Sequence, residues 1–125
     1  MVQKQYVSWQ DVTDFVIDVA KRYENVKVSG VYGVPRGGVI IATLLSYKMD
    51  IPILFAPAKD CIIMDDISDT GETLIQYAKN TSGGGIDKGY HIVTMFYKET
   101  CSVRPEFFKF IKDDKWVVYP WEFDN

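Results

Sequence analysis

Residues 61–74 read Cys-Ile-Ile-Met-Asp-Asp-Ile-Ser-Asp-Thr-Gly-Glu-Thr-Leu: an apolar run, two adjacent carboxylates, a short polar loop around Gly71, then a helix-like pattern. The β-branched Ile62 and Ile63 within an apolar run read as a buried strand. Residues 74–79, Leu-Ile-Gln-Tyr-Ala-Lys, space their apolar side chains as one helix face does. The motif is thus expected where a strand hands over to a helix. The first N–H groups of a helix lack internal partners, and its dipole adds positive charge there, so Thr70, Gly71, Glu72 and Thr73 are expected to cradle a phosphate. Asp65 and Asp66 are expected at the carboxyl end of the strand, where open α/β sheets place ligands. Two neighbouring carboxylates suit a polyol or a magnesium-bound ligand, since each accepts hydrogen bonds from hydroxyls or metal-bound water.

Working outward, residues 9–23 carry an apolar stripe (Trp9, Val12, Phe15, Val16, Val19, Ala20) with Ser8 as N-cap, which predicts a helix. Residues 26–33 read as a strand, 38–48 as an apolar helix ending near Asp50, 51–55 and 61–64 as strands, 70–80 as a helix and 90–97 as a strand. Such alternation predicts an α/β fold, a parallel sheet covered on both faces with right-handed crossovers. Gly83-Gly84-Gly85 reads as a loop, because no helix follows it.

The 125 residues are expected to form one domain, 1–125. A net charge of −3 without a Lys/Arg block gives no support to nucleic-acid binding, whose affinity rests on neutralising phosphates. No stretch approaches the ~20 apolar residues of a membrane span, and the first residues lack a signal-peptide core, so a cytoplasmic protein with no membrane partner is expected. Cys61 and Cys101 lack metal-ligand spacing and His91 is the single histidine, which indicates neither a disulfide framework nor a zinc site. Cys61 reads as a small buried hydrophobe.

Residues 61–74 resemble the phosphoribosyl pyrophosphate (PRPP) signature of type I phosphoribosyltransferases: an apolar run, two acidic residues, two further residues before Asp69, then Thr-Gly. Upstream, residues 31–39, Val-Tyr-Gly-Val-Pro-Arg-Gly-Gly-Val, resemble the pyrophosphate loop of the purine enzymes, in which a peptide bond is often cis; Pro35-Arg36 is the candidate here. Downstream, residues 92–98 read as a strand ending in Lys98, and residues 116–122, Trp-Val-Val-Tyr-Pro-Trp-Glu, resemble the C-terminal segment of xanthine-guanine and archaeal-type hypoxanthine or guanine enzymes. The resemblance covers the chain from Trp9 onward.

The resemblance implies a purine phosphoribosyltransferase that moves the 5-phosphoribosyl group from PRPP to xanthine, guanine or hypoxanthine, with Mg2+ as cofactor. It assigns the 5′-phosphate to Thr70, Gly71, Glu72 and Thr73, the ribose hydroxyls to Asp65 and Asp66, and the pyrophosphate to Arg36, Gly37 and Gly38. Magnesium would be held by Asp65 and Asp66 mostly through water or ribose hydroxyls. Catalysis falls to Asp69 as general base and to Arg36 at the leaving group. The purine falls to Lys98 at its 6-oxygen, Trp116 stacked on its face, the Val117 backbone at its 2-position, and Glu122. A homodimer and a minimal C-terminal base-binding hood are also implied. One departure stands out: only residues 56–60 remain where family members insert two strands and a mobile loop that closes over the substrate. That shortening motivates a second reading, a binding module of the same fold that holds PRPP or a purine nucleotide with weak or no turnover.

Overall fold

The computed structural model describes residues 2–78 and 88–123. Along them run β1 (Lys4–Tyr6), α1 (Trp9–Tyr23), β2 (Val31–Gly33), α2 (Gly37–Met49), β3 (Ile53–Leu54), β4 (Ile62–Ser68), a 3-10 turn (Ile75–Tyr77), β5 (His91–Tyr97), β6 (Phe107–Ile111) and β7 (Trp116–Val118). Five strands form one sheet in the order β3-β2-β4-β5-β6, every neighbouring pair parallel. β4 is the middle strand, and Ile62, Ile63 and Met64 are fully buried, as a strand covered on both faces requires.

α1 forms where its stripe predicts, because Val12, Phe15, Val16, Val19 and Tyr23 fall on one buried face. Its start is fixed by a capping box: the Asp11 N–H donates to Ser8 Oγ and the Ser8 N–H donates to Asp11 Oδ2, both at 3.0 Å. α1 and α2 share one core with Ile62 and Met64 of β4 and Val93 and Met95 of β5. Ile63 and Ile92 belong to a second, smaller cluster with Val34, Cys61, Leu74 and Val103. Both described α-helices therefore cover one face of the sheet, and Leu74, Tyr77 and Val103 cover the other.

Three sequence expectations need correction. Within 70–80 the described residues form only the Ile75–Tyr77 3-10 turn, and Ala78 is already extended (φ −71°, ψ 141°). Leu74, Tyr77 and Ala78 supply one turn's worth of apolar contact, too little to offset helix nucleation. β4 continues through both aspartates to Ser68, so the acidic pair lies inside the strand and not at its end. Its ladder to β5 persists across Asp65↔Thr94 and Ser68↔Tyr97, which holds those residues extended whatever their polarity. The strand expected over 26–33 is confined to Val31–Gly33, where β3 and β4 offer partners. Residues 83–85 lie outside the described residues.

β1 and β7 pair in parallel as a separate two-stranded sheet, Lys4 opposite Trp116 and Tyr6 opposite Val118. Between β3 and β4 no strand is inserted; residues 55–61 turn directly from one to the other. Among the described residues no helix is long and apolar enough to cross a membrane.

Replacing Ser8 with alanine removes an N-cap acceptor and is expected to lower stability by about 1 kcal/mol. Urea denaturation of wild type and Ser8→Ala checks this.

Candidate functional site

The site grows from β4. Asp65 is buried, and its Oδ1 accepts the N–H of Asp66 at 2.8 Å. Burial, and then the neighbouring Asp66 carboxylate, push the Asp65 pKa up to about 8.

The chain can pass close to this pair because Gly37 and Gly38 lack side chains. A Cβ on Gly37 would run into the Asp66 carboxylate, and one on Gly38 into the Met64 carbonyl oxygen. These glycines open α2, whose N-cap Arg36 makes no side-chain cap. The first N–H groups of a thirteen-residue helix therefore lie beside the acidic strand without a capping side chain. The Pro35–Arg36 peptide bond is cis, at the position the sequence resemblance indicates.

Two cavities meet at the aspartates. The larger, about 580 Å³, is lined by Pro35, Arg36, Gly37, Asp65, Asp66, Trp121 and Glu122 among others. The smaller, about 270 Å³, is lined by Asp65, Asp66, Asp69, Thr70, Gly71 and Thr73 with Val34, Pro35 and Leu74. One hollow thus has the α2 N-terminus and a guanidinium on its wall. The other has the 69–73 loop.

That loop is shaped without a helix. Gly71 sits at φ +86°, a backbone conformation that other residues rarely adopt, and a Cβ there would also strike Ser102 Oγ. Ser102 Oγ donates to the Thr70 carbonyl at 3.3 Å, and the Glu72 N–H donates to Thr70 Oγ1 at 3.3 Å. Behind it, the buried Ser68 hydroxyl donates to the Val103 carbonyl at 2.9 Å, fixing the 101–103 turn against the loop. Among the described residues, the N–H groups of Thr70, Gly71 and Thr73 make no hydrogen bond. The capacity to bind an anion therefore rests on loop amides, not on the helix start expected from sequence.

Lys98 and Asp69 come together at the end of β4 and β5. Lys98 Nζ lies 3.8 Å from Asp69 Oδ1, and the Lys98 N–H donates to the Ser68 carbonyl at 2.9 Å. Glu122 reaches the larger cavity, with its Oε1 accepting the Tyr119 N–H at 2.9 Å. Trp116 opens β7, is 64 % exposed and lines neither cavity; Val117 beside it is buried. Sequence reasoning missed Tyr119 and Trp121. They stack at 4.9 Å, Trp121 on the cavity wall and Tyr119 hydrogen-bonded to Asp66. The Tyr-Pro-Trp triplet was the available signal.

Asp65 and Asp66 offer hard oxygen donors of the kind magnesium takes, and among the described residues no group of three His, Cys, Asp or Glu is clustered as a full protein cage. This donor set fits a cation that keeps most of its ligands as water or ligand oxygens. The three remaining residues flagged by composition have structural places: Cys61 is fully buried, Cys101 Sγ accepts the Val103 N–H at 3.4 Å, and His91 Nδ1 is 2.9 Å from Glu106 Oε1.

No family model matches the chain, and no curated protein sequence does. Solved structures do. A purine phosphoribosyltransferase from Pyrococcus horikoshii Ot3 is similar with a TM-score of 0.80 and 28 % identity, over 98 % of this chain and 96 % of that one. A Helicobacter pylori xanthine-guanine-hypoxanthine phosphoribosyltransferase follows at TM-score 0.78 and 18 % identity, over 98 % and 96 % of the two chains. A hypothetical protein from Neisseria gonorrhoeae with bound ppGpp has TM-score 0.73 and 17 % identity, over 100 % and 92 %.

The raised pKa of Asp65 has a consequence for stability. The folded state keeps a proton that the unfolded chain releases near the ordinary value of 3.8, so this contribution is complete below 3.8 and is lost as pH rises through about 8. Thermal unfolding across that range is expected to show Asp65→Asn gaining on wild type as pH rises. A constant difference between the two would contradict the buried proton.

Proposed function

We propose that the chain is a type I phosphoribosyltransferase of the purine type that uses PRPP, and that its acceptor is a 6-oxopurine: xanthine, guanine or hypoxanthine. The observation that carries this reading is the meeting of two anion-suited hollows at one carboxylate pair, with Lys98 and Asp69 beside the smaller one. PRPP carries a phosphate and a pyrophosphate at opposite ends of a ribose, which matches that layout.

In this reading Thr70, Gly71, Glu72 and Thr73 bind the 5′-phosphate with hydroxyls and loop amides. Asp65 and Asp66 accept the ribose hydroxyls. Arg36 and the amides at Gly37 and Gly38 bind the pyrophosphate, where charge grows as it departs. Asp65 and Asp66 would also hold magnesium, mostly through water or ribose hydroxyls, and would thereby supply positive charge toward the pyrophosphate. The bond from the ribose anomeric carbon to the pyrophosphate oxygen breaks, and a bond from that carbon to a purine ring nitrogen forms. The proton released from that nitrogen passes to Asp69. Lys98 donates to the purine 6-oxygen, Trp116 offers its exposed indole face, the Val117 backbone reads the 2-position, and Glu122 is a further base contact. Nucleobase stacking on an aromatic face contributes roughly 1–3 kcal/mol.

We further propose a homodimer. Val39 and Tyr47 on α2 and Phe55 after β3 are exposed apolar side chains, Tyr47 at 85 % and Phe55 at 94 %. Sedimentation at micromolar concentration reads the mass directly.

Incubation with PRPP, magnesium and each of the three purines tests the function, with nucleotide read by mass spectrometry. Product is expected with at least one purine; ligand-induced stabilisation without product would favour the binding-module reading instead. Asp69→Asn is expected to lose at least a hundredfold in turnover while still binding product nucleotide. Trp116→Ala is expected to raise the KM for the purine roughly tenfold with little change for PRPP. Equal losses for both substrates would contradict stacking.

A further inference from the structure

Tyr119 joins the two ligand-facing halves of the molecule through a single hydroxyl. It follows β7 directly and is only 4 % exposed. Its phenolic O–H donates to the main-chain carbonyl of Asp66 at 2.9 Å, across 53 positions of sequence. Its ring is parallel to that of Trp121, with centroids 4.9 Å and planes 6° apart, and it meets Phe96 edge-on at 6.1 Å. Its N–H donates to Glu122 Oε1 at 2.9 Å, and the Glu122 N–H donates back to its carbonyl at 3.0 Å. One residue therefore holds both the Trp121–Glu122 wall of the larger cavity and the strand that carries the carboxylates.

We propose that Tyr119 is a positioning residue for the ribose-phosphate half of the site, although it sits in the segment assigned to the purine. Its hydroxyl fixes the Asp66 carbonyl, and with it the backbone from which the Asp66 carboxylate projects between the two cavities. Loss of that donor would leave a part-buried carbonyl unpaired and release the Asp66 peptide. The inference rests on the phosphoribosyltransferase reading above.

Tyr119→Phe keeps the ring against Phe96 and Trp121 and removes only the hydroxyl, so the fold is expected to survive, as far-UV circular dichroism would report. Calorimetric titration with PRPP and magnesium is expected to show about fivefold to tenfold weaker binding than wild type, the size of one buried hydrogen bond. The KM for the purine is expected to stay within twofold. In an Asp66→Asn background the same change is expected to have no further effect on PRPP affinity, because the hydroxyl acts through Asp66. A purely structural role for Tyr119 predicts the opposite pattern, weakened purine binding and equal effects in both backgrounds, and that pattern would overturn the inference. So would PRPP affinity unchanged in Tyr119→Phe. A wild-type protein that binds no PRPP would overturn the functional reading itself, and this inference with it.

Discussion

A carboxyl group buried in the middle strand of a parallel sheet sets the terms for everything around it. Asp65 has almost no contact with solvent, so its charge is disfavoured and its oxygen takes the adjacent Asp66 N–H. The neighbouring chain must approach within reach of this strand, and only residues without side chains allow that, which accounts for Gly37 and Gly38. The same approach brings the uncapped start of α2 and Arg36 to the acidic pair. From the other direction the 69–73 loop leaves β4 with unpaired amides, braced by Ser68, Ser102 and Gly71. Positive potential on both sides of a carboxylate pair suits a ligand that carries anions at both ends and hydroxyls between them.

Sequence patterns resolved the parts of this fold that depend on local periodicity. α1 is amphipathic, capped by Ser8, and begins and ends where its stripe does. α2 and the buried run of β4 followed from apolar composition and length. What was not legible depends on tertiary pairing. Asp65 and Asp66 read as a strand end because of their polarity, yet the ladder to β5 carries β4 past them to Ser68. The apolar face over 74–78 imitates a helix, but a single turn of contact cannot sustain one. The pairing of β1 with β7 joins the two ends of the chain and leaves no trace in either segment alone. Nor does any spacing reveal that the Tyr119 hydroxyl reaches Asp66.

The acidic motif, the Pro-Arg-Gly-Gly loop and the Lys98 strand end were read as parts of one site, and the fold gathers them at one end of the sheet. Trp116 is different: it stands exposed on the small sheet, apart from both cavities. Its proposed part is to cap a base that extends from the carboxylates past Asp69 and Lys98. The connection between β3 and β4 is short, with residues 55–61 turning directly from one strand to the other.

In the proposed reading the Asp65–Asp66 pair divides two anion sites that are filled at the same time. Titrating ribose 5-phosphate and pyrophosphate with magnesium, first singly and then each into protein saturated with the other, tests it most directly. Both are expected to bind, and saturation with one is expected to leave the other's stoichiometry intact. Mutual exclusion of the two ligands would contradict it.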